Sequence, residues 1–326
     1  MTPRYLGPAL AALLATALAA APVAAQDFPS KPIALIVPYA AGGPSDVIGR
    51  LIGQSMSQTL GQQIVIENVA GAGGTTGADR VSKAAPDGYT LLIHHVALAA
   101  GHSLYKLRYD TTTAFEPVGL INFGPFVLTA RANYEPNTAA DMLAKLKADG
   151  TKVSVAHAGV GSGSHLCGMM LTQGLGTSFT YVPYRGTGPA MNDLVAGQVD
   201  VLCDQTTNAI PQIEGGKVKA YAVTSSTRLA QLPNLPTLQE AGLKDVEVTV
   251  WHALYAPAGT PKPVIDRLHA ALQKALADET ILKRFTDLGT VTFPADQRSP
   301  AALSAYLKAQ VARWAEVIKT SGIKPE

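Results

Sequence analysis

The sequence predicts an α/β protein of two lobes, joined by a hinge that the chain crosses twice. Three observations carry this expectation. Short apolar runs alternate with helix-spaced apolar residues, the βα rhythm of parallel sheets covered on both faces. That rhythm runs from Ile33 to Ile93 and restarts at Val153. After Pro257 the chain is mostly helical, and helices with an apolar stripe need a sheet to cover. The tail is therefore expected to return to the first series. The resulting boundaries are residues 26–128 and 251–326 for the first lobe and 129–250 for the second, with 1–25 as a leader.

The elements follow in order. Ile33–Val37 reads as a buried strand ended by Pro38, and Val47, Ile48, Leu51, Ile52 and Met56 recur at helical spacing after a glycine turn. Ile64–Ile66 and Thr90–Ile93 are the next strands. In the second series a strand at Val153–Ala156 precedes a helix from about Ser164. Strand Tyr181–Pro183 precedes a helix over Gly188–Ala196, strand Val201–Cys203 a helix from Thr206, and Ala220–Val223 is the last strand. Val246–Val250 alternates like a strand. Val264, Leu268, Leu272 and Leu276 form one helical stripe, and Leu303, Tyr306, Val311, Trp314 and Val317 another. The crossings are expected near Val127–Ala130 and Thr249–His252, and a cleft between lobes is where small ligands sit.

Met1–Ala25 has the pattern of a cleaved secretory signal: Arg4, an Ala/Leu-rich run from Leu6 to Ala21, then small residues to Ala25. With no Cys at the cleavage point, no lipid anchor is expected. The mature protein should begin near Gln26 and work outside the cytoplasm. Its 301 residues suit two domains. Losing Arg4 takes the formal charge from +2 to +1, too little for an overall field that attracts nucleic acid or anionic membrane. Beyond the leader no apolar run reaches the roughly 18 residues of a membrane span. In an oxidising compartment, a disulfide between Cys167 and Cys203 is the first expectation. Two buried free thiols are the alternative.

Three strand-to-helix junctions could carry chemistry. In Val37-Pro38-Tyr39-Ala40-Ala41-Gly42-Gly43-Pro44-Ser45-Asp46 a strand ends in glycines that open into a helix. The unpaired N–H groups of such a first turn favour an anion. Ser45 or Asp46 is the expected cap. Val155 to His165, with Gly159, Gly161, Ser162, Gly163 and Ser164, repeats the design, and Tyr184-Arg185-Gly186-Thr187 is a third junction. Asp204 follows strand Val201–Cys203 at the same sheet end, where α/β proteins bind ligands. A plain capped loop is the bland reading of each segment alone; their convergence favours a site.

Enzyme patterns fit less well. A G-x-S-x-G elbow on Ser162 would need glycine where Val160 stands. The dinucleotide fingerprint fails at Thr76 and at Ser164, and no phosphate-binding P-loop is present. Adjacent His94 and His95 point to opposite strand faces, which disfavours one shared metal; His95 is the one expected in the cleft. A hydrolase built on His165 with Ser162 or Ser164 is the rival reading. No metal and no cofactor is expected.

At this point the residues resemble a family. Phe28-Pro29-Ser30-Lys31-Pro32-Ile33, the Val37–Asp46 segment, Glu67-Asn68 with Gly71-Ala72-Gly73-Gly74, and Ala85-Pro86-Asp87-Gly88-Tyr89-Thr90-Leu91-Leu92 occur in order. Val182-Pro183-Tyr184-Arg185-Gly186, Gly197-Gln198-Val199-Asp200, Leu235-Pro236-Thr237 and Ala256-Pro257-Ala258-Gly259-Thr260-Pro261 follow. The mature chain thus resembles the Bug-type extracytoplasmic solute receptors of tripartite tricarboxylate transporters. The resemblance implies a type II, Venus-flytrap periplasmic binding protein that captures a small carboxylate and passes it to membrane components. It implies no nucleic-acid partner and a monomer. Its ligand set, carried over, is Tyr39, Ala41, Gly42, Gly43, Ser45 and Asp46 in the first loop, and Gly161, Ser162, Gly163, Ser164 and His165 in the second. His95, Tyr184, Gly186, Thr187 and Asp204 complete it. His94-His95 replaces the family's small pair after the third strand, and Arg185 its usual lysine. The family takes citrate, amino acids, dicarboxylates and pyridine carboxylates, so the two departures leave the ligand open.

Overall fold

A computed structural model describes residues 28–322 except residue 245. The expected leader lies outside the described residues. From the N-terminus run β1 (Ile33–Val37), α1 (Pro44–Leu60), β2 (Ile64–Asn68), α2 (Thr75–Ser82), β3 (Thr90–His95) and α3 (Val96–Leu104). The long strand β4 (Phe115–Arg131) leads to α4 (Ala139–Asp149), β5 (Ser154–His157), α5 (Gly163–Leu175), β6 (Thr180–Pro183) and α6 (Thr187–Val195). Then come β7 (Val201–Gln205), α7 (Thr206–Glu214), β8 (Val218–Val223) and β9 (Thr249–Pro257). The tail holds α8 (Lys262–Ala275), α9 (Glu279–Asp287), β10 (Val291–Thr292) and α10 (Pro300–Ser321).

The strands form one continuous sheet in the order β2-β1-β3-β9-β4-β7-β5-β6, with β10 and β8 also paired to β4. Its flanks are parallel, as the βα rhythm predicts: β2-β1-β3 on one side and β7-β5-β6 on the other. The centre corrects the expectation of purely parallel sheets. Strand β9 runs antiparallel to β3 and β4, and β4 antiparallel to β7 and β8. Strand β4 is the spine. Its residues 115–125 pair with β9, and from Phe126 onward it pairs with β7 and β8. The change of partners falls at Pro125/Phe126, just before the expected crossing.

The expected strand at Val246–Val250 begins only at Thr249. Val246 and Val248 are buried outside any strand; Val248 N donates to Thr224 O, while Thr224 Oγ1 donates to Val248 O at 2.6 Å and accepts from Phe126 N at 2.9 Å. One buried threonine therefore ties β4 to the segment that enters β9.

Alternation explains the two-faced core. Ile33, Leu35, Val37, Leu91 and Ile93 pack in one cluster with Ile48, Ile52 and Met56 of α1 and with Leu268, Leu272 and Phe285. Ile36 and Leu92, one residue out of phase, join the opposite cluster with Leu98, Leu303, Leu307, Trp314 and Ile318. Each such burial contributes about 1.5–3 kcal/mol. Helix α8 packs on α1, and α10 on α3 and β4, so the tail does cover the N-terminal part of the sheet. The α10 stripe is rotated from the expected one: Leu303, Leu307, Trp314 and Ile318 are buried, whereas Tyr306, Val311 and Val317 are only half-buried. Cys167 on α5 and Cys203 on β7 are joined in a fully buried disulfide, with Cα atoms 6.1 Å apart.

Candidate functional site

Five helices begin around one partly enclosed cavity. Gly43, Pro44 and Ser45 start α1, His95 caps α3, and Ser162, Gly163 and Ser164 start α5; Thr187 opens α6, and Gln205 precedes α7. Tyr39, Phe126, Ala158 and Asp204 complete the lining, which contains no Lys or Arg. The cap of α1 is Gly43 rather than Ser45 or Asp46, and no side chain closes its first turn. The same holds for α6 and α7. Open first turns present N–H donors and the positive end of the helix dipole. The cavity is tight, about 20 Å³, so an organic acid must part the loops to occupy it.

An outer chamber of about 870 Å³ adjoins the same loops through Ala40, Gly159, His165 and Pro189. His165 and Tyr184 lie here, not in the inner cavity. Of the remaining expected site residues, Tyr39, Gly43, Ser45, His95, Ser162, Gly163, Ser164, Thr187 and Asp204 line the inner cavity. Ala41, Gly42, Asp46, Gly161 and Gly186 line neither. Phe126, Gln205, Ala158 and Pro44, outside the expected ligand set, also line the inner cavity.

Asp46 explains why the first loop holds its shape. Its carboxylate accepts from Arg50 Nε and Nη2 at 2.9 Å each, from Gly42 N at 3.1 Å and from Asn68 Nδ2 at 3.0 Å. Burial opposes its ionisation, but these bonds outweigh it and hold the carboxyl below its ordinary range. Asn68 Nδ2 also donates to Tyr39 O.

Asp204 is in the opposite situation. It is fully buried, and burial pushes its pKa up to about 6. Gln205 N donates to Oδ1 at 2.8 Å and Asn208 Nδ2 to Oδ2 at 2.5 Å. Thr187 Oγ1 stands near enough to favour the charged form without making a hydrogen bond of normal geometry.

The histidines form two groups. His95 stacks on Tyr39 with ring centroids 4.9 Å apart and meets His94 and His252 edge-on. His95 Nδ1 accepts from Ala97 N, so its neutral ring carries the proton on Nε2. Burial lowers all three pKa values, to about 3 for His94 and His252. Both rings of the adjacent pair are buried, and His95, the last residue of β3, also caps α3. The second group, His157 and His165, borders the outer chamber with centroids 4.9 Å apart. Burial takes His165 to about 4. Among the described residues no cluster suits a metal ion.

The loops from the two ends of the sheet touch. Ala40 N donates to Arg185 O at 2.9 Å, and Tyr105 OH to Val160 O at 3.0 Å. Tyr39 OH donates to Gly73 O at 2.6 Å. Gly73 and Gly159 have positive φ, and a Cβ on Gly73 would lie 2.0 Å from Val160 O. Only glycine permits that approach.

Comparison with known proteins places these features in a lineage. The family model for tripartite tricarboxylate transporter family receptors (TctC) matches residues 48–323. A UPF0065 protein of Agrobacterium vitis, from the TAR-I ttuE-ttuC' intergenic region, is 48% identical over 95% of this chain and 90% of its own. The periplasmic binding protein BugD superposes with a TM-score of 0.89 at 46% identity, covering 92% of this chain and 100% of its own. MatC of Rhodopseudomonas palustris, solved with bound malate, superposes at 0.86 with 42% identity, over 89% and 100%. The chain belongs to the tripartite tricarboxylate transporter family receptors, the TctC or Bug-type solute-binding proteins.

Proposed function

We propose that the protein is a periplasmic receptor whose two lobes, residues 26–128 with 251–326 and residues 129–250, close over a small organic carboxylate. It would then deliver this ligand, as a monomer, to the membrane components of a tripartite transporter. One observation carries the reading: five helix N-termini converge on one cavity that contains no lysine or arginine. Each helix-terminus contact is worth about 0.3–2 kcal/mol, so several act together on one carboxylate. The His95 Nε2–H adds a directed donor. A dicarboxylate fits best, with its second anion reaching His95. The malate held by MatC supports that class.

A hydrolase is not favoured. His165 Nδ1 accepts from Gly161 N, and its ring borders the outer chamber rather than Ser162 or Ser164. Ser45 Oγ does meet His252 Nε2 at 3.2 Å, but His252 Nδ1 has no partner to orient it and burial takes its pKa to about 3. A base so weak does not activate a hydroxyl near neutral pH. Among the described residues no helix is long and apolar enough to cross a membrane.

The test is a thermal-shift screen over mono-, di- and tricarboxylates, followed by calorimetry. A ligand that binds only the folded state raises the melting temperature. A flat response to every acid would overturn the receptor reading.

A further inference from the structure

The cavity lining is one-sided in its chemistry. The His95 Nε2–H and the open helix N-termini offer donors, the hydroxyls of Ser45, Ser162 and Ser164 are engaged with His252 and with each other, and Asp204 is the one carboxylate of the lining. None of the ion pairs among the described residues involves Asp204, and it is fully buried. A carboxylate accepts about four hydrogen bonds. Asp204 receives two, from Gln205 N and, at short range, from Asn208 Nδ2. The α7 N-terminus beside it supports its charge. A buried charge left under-bonded is costly, and Asp204 lines the cavity, where a ligand donor can reach it.

A ligand held at the same helix N-termini therefore meets Asp204. An unsubstituted dicarboxylate brings only acceptors and like charge to it. An acid with a hydroxyl or ammonium on its chain brings the missing donor. Resting on the receptor reading above, we propose that Asp204 is the specificity-determining residue of the cavity. It selects acids that carry a hydroxyl or ammonium donor on the carbon chain over unsubstituted acids of equal length.

The test is calorimetry on the whole protein at about pH 8, with matched pairs: lactate and propionate, malate and succinate, 2-hydroxyglutarate and glutarate. In the chain length that binds, the hydroxy acid is expected to be tighter by roughly 10- to 150-fold, the worth of one hydrogen bond to a charged acceptor. Asp204→Asn, which keeps the size and removes the charge, is expected to cut that ratio to within about threefold. A wild-type ratio near one, or the full ratio kept in D204N, overturns the proposal and leaves the receptor reading standing. Binding by none of the six acids overturns the proposal, and the receptor reading falls with it only if the wider carboxylate screen is flat as well. The wild-type ratio decides even if D204N does not fold.

Discussion

Gly188→Ala separates closure from folding. Gly188 is the second residue of α6, and its backbone lies outside the positive-φ region, so alanine suits the position. Helix propensity alone favours the change by about 1 kcal/mol. The obstacle lies across the cleft: a Cβ there would stand 2.7 Å from Ala41 O and 3.1 Å from both Gly42 C and Gly43 N. Those are backbone atoms of the loop that Asp46 pins, so they do not yield as a flexible side chain would. Relieving the contact requires the loops to part by several tenths of an ångström. Overpacking of this kind costs about 1–3 kcal/mol. If the lobes hinge, the open form escapes that cost and the closed, ligand-holding form bears it. Affinity for the carboxylate is then expected to fall about 5- to 150-fold, while the ligand-free melting temperature stays level or rises. Calorimetry and thermal unfolding on one preparation read both quantities. Unchanged affinity, or a loss of stability equal to the loss of affinity, would refute the hinge argument.

Other perturbations probe the remaining supports. Replacing both Cys167 and Cys203 by alanine opens a loop of 36 residues. Urea unfolding should register a loss of about 4 kcal/mol on the chain-entropy model; a loss below 1 kcal/mol would show that α5 and β7 need no tether. For Asp204 the folded pKa of about 6 lies above the ordinary 3.8. The native state therefore holds the proton more tightly, and stability on this account is greatest at low pH and falls as pH rises from 4 through 6, by about 3 kcal/mol. D204N should remove that slope, so its stability relative to wild type should improve by the same amount between pH 4 and pH 7.5. A pH-independent difference in urea midpoints would count against it. Asp46 has the opposite sign, since its lowered pKa stabilises the fold above the ordinary carboxylate range and is lost on acidification. Asp46→Ala should cost about 1–3 kcal/mol and abolish binding although Asp46 lines no cavity; retained affinity would show that the loop holds its shape without it.

What the sequence makes legible is local. A strand that ends in glycines and opens into a helix is encoded within ten residues, which is why the loops at Gly43 and Gly163 can be located from the amino-acid order alone. Strand β4 is hidden for the opposite reason. It contains Pro117, Gly119, Gly124 and Pro125, residues that punctuate chains, and its continuity comes from pairing with β7, β8, β9 and β10, elements far away in sequence. Phe126 and Gln205 reach the cavity through that pairing. Alternation alone misleads at His94–His95, since His95 ends the strand and takes up a helix cap. Asp46 lies in the first turn of α1 and lines neither cavity; its ion pair with Arg50, one helical turn on, holds it in the loop's support.

The absence of a lysine or arginine from the cavity has a mechanistic consequence. A lysine or arginine buried opposite the ligand would face the desolvation problem of every uncompensated charge whenever the cleft emptied, and it would hold any anion. Helix first turns carry only partial charge, are fixed in direction, and remain stable without a ligand. They select by geometry and release without stranding a cation. Asp204 is the counterpart of that design. Its negative charge weakens binding of any acid that offers nothing but carboxylates, so affinity is reserved for the ligand that also donates. Partial positive charges on the helix ends and one buried carboxylate then discriminate where one strong cation would not.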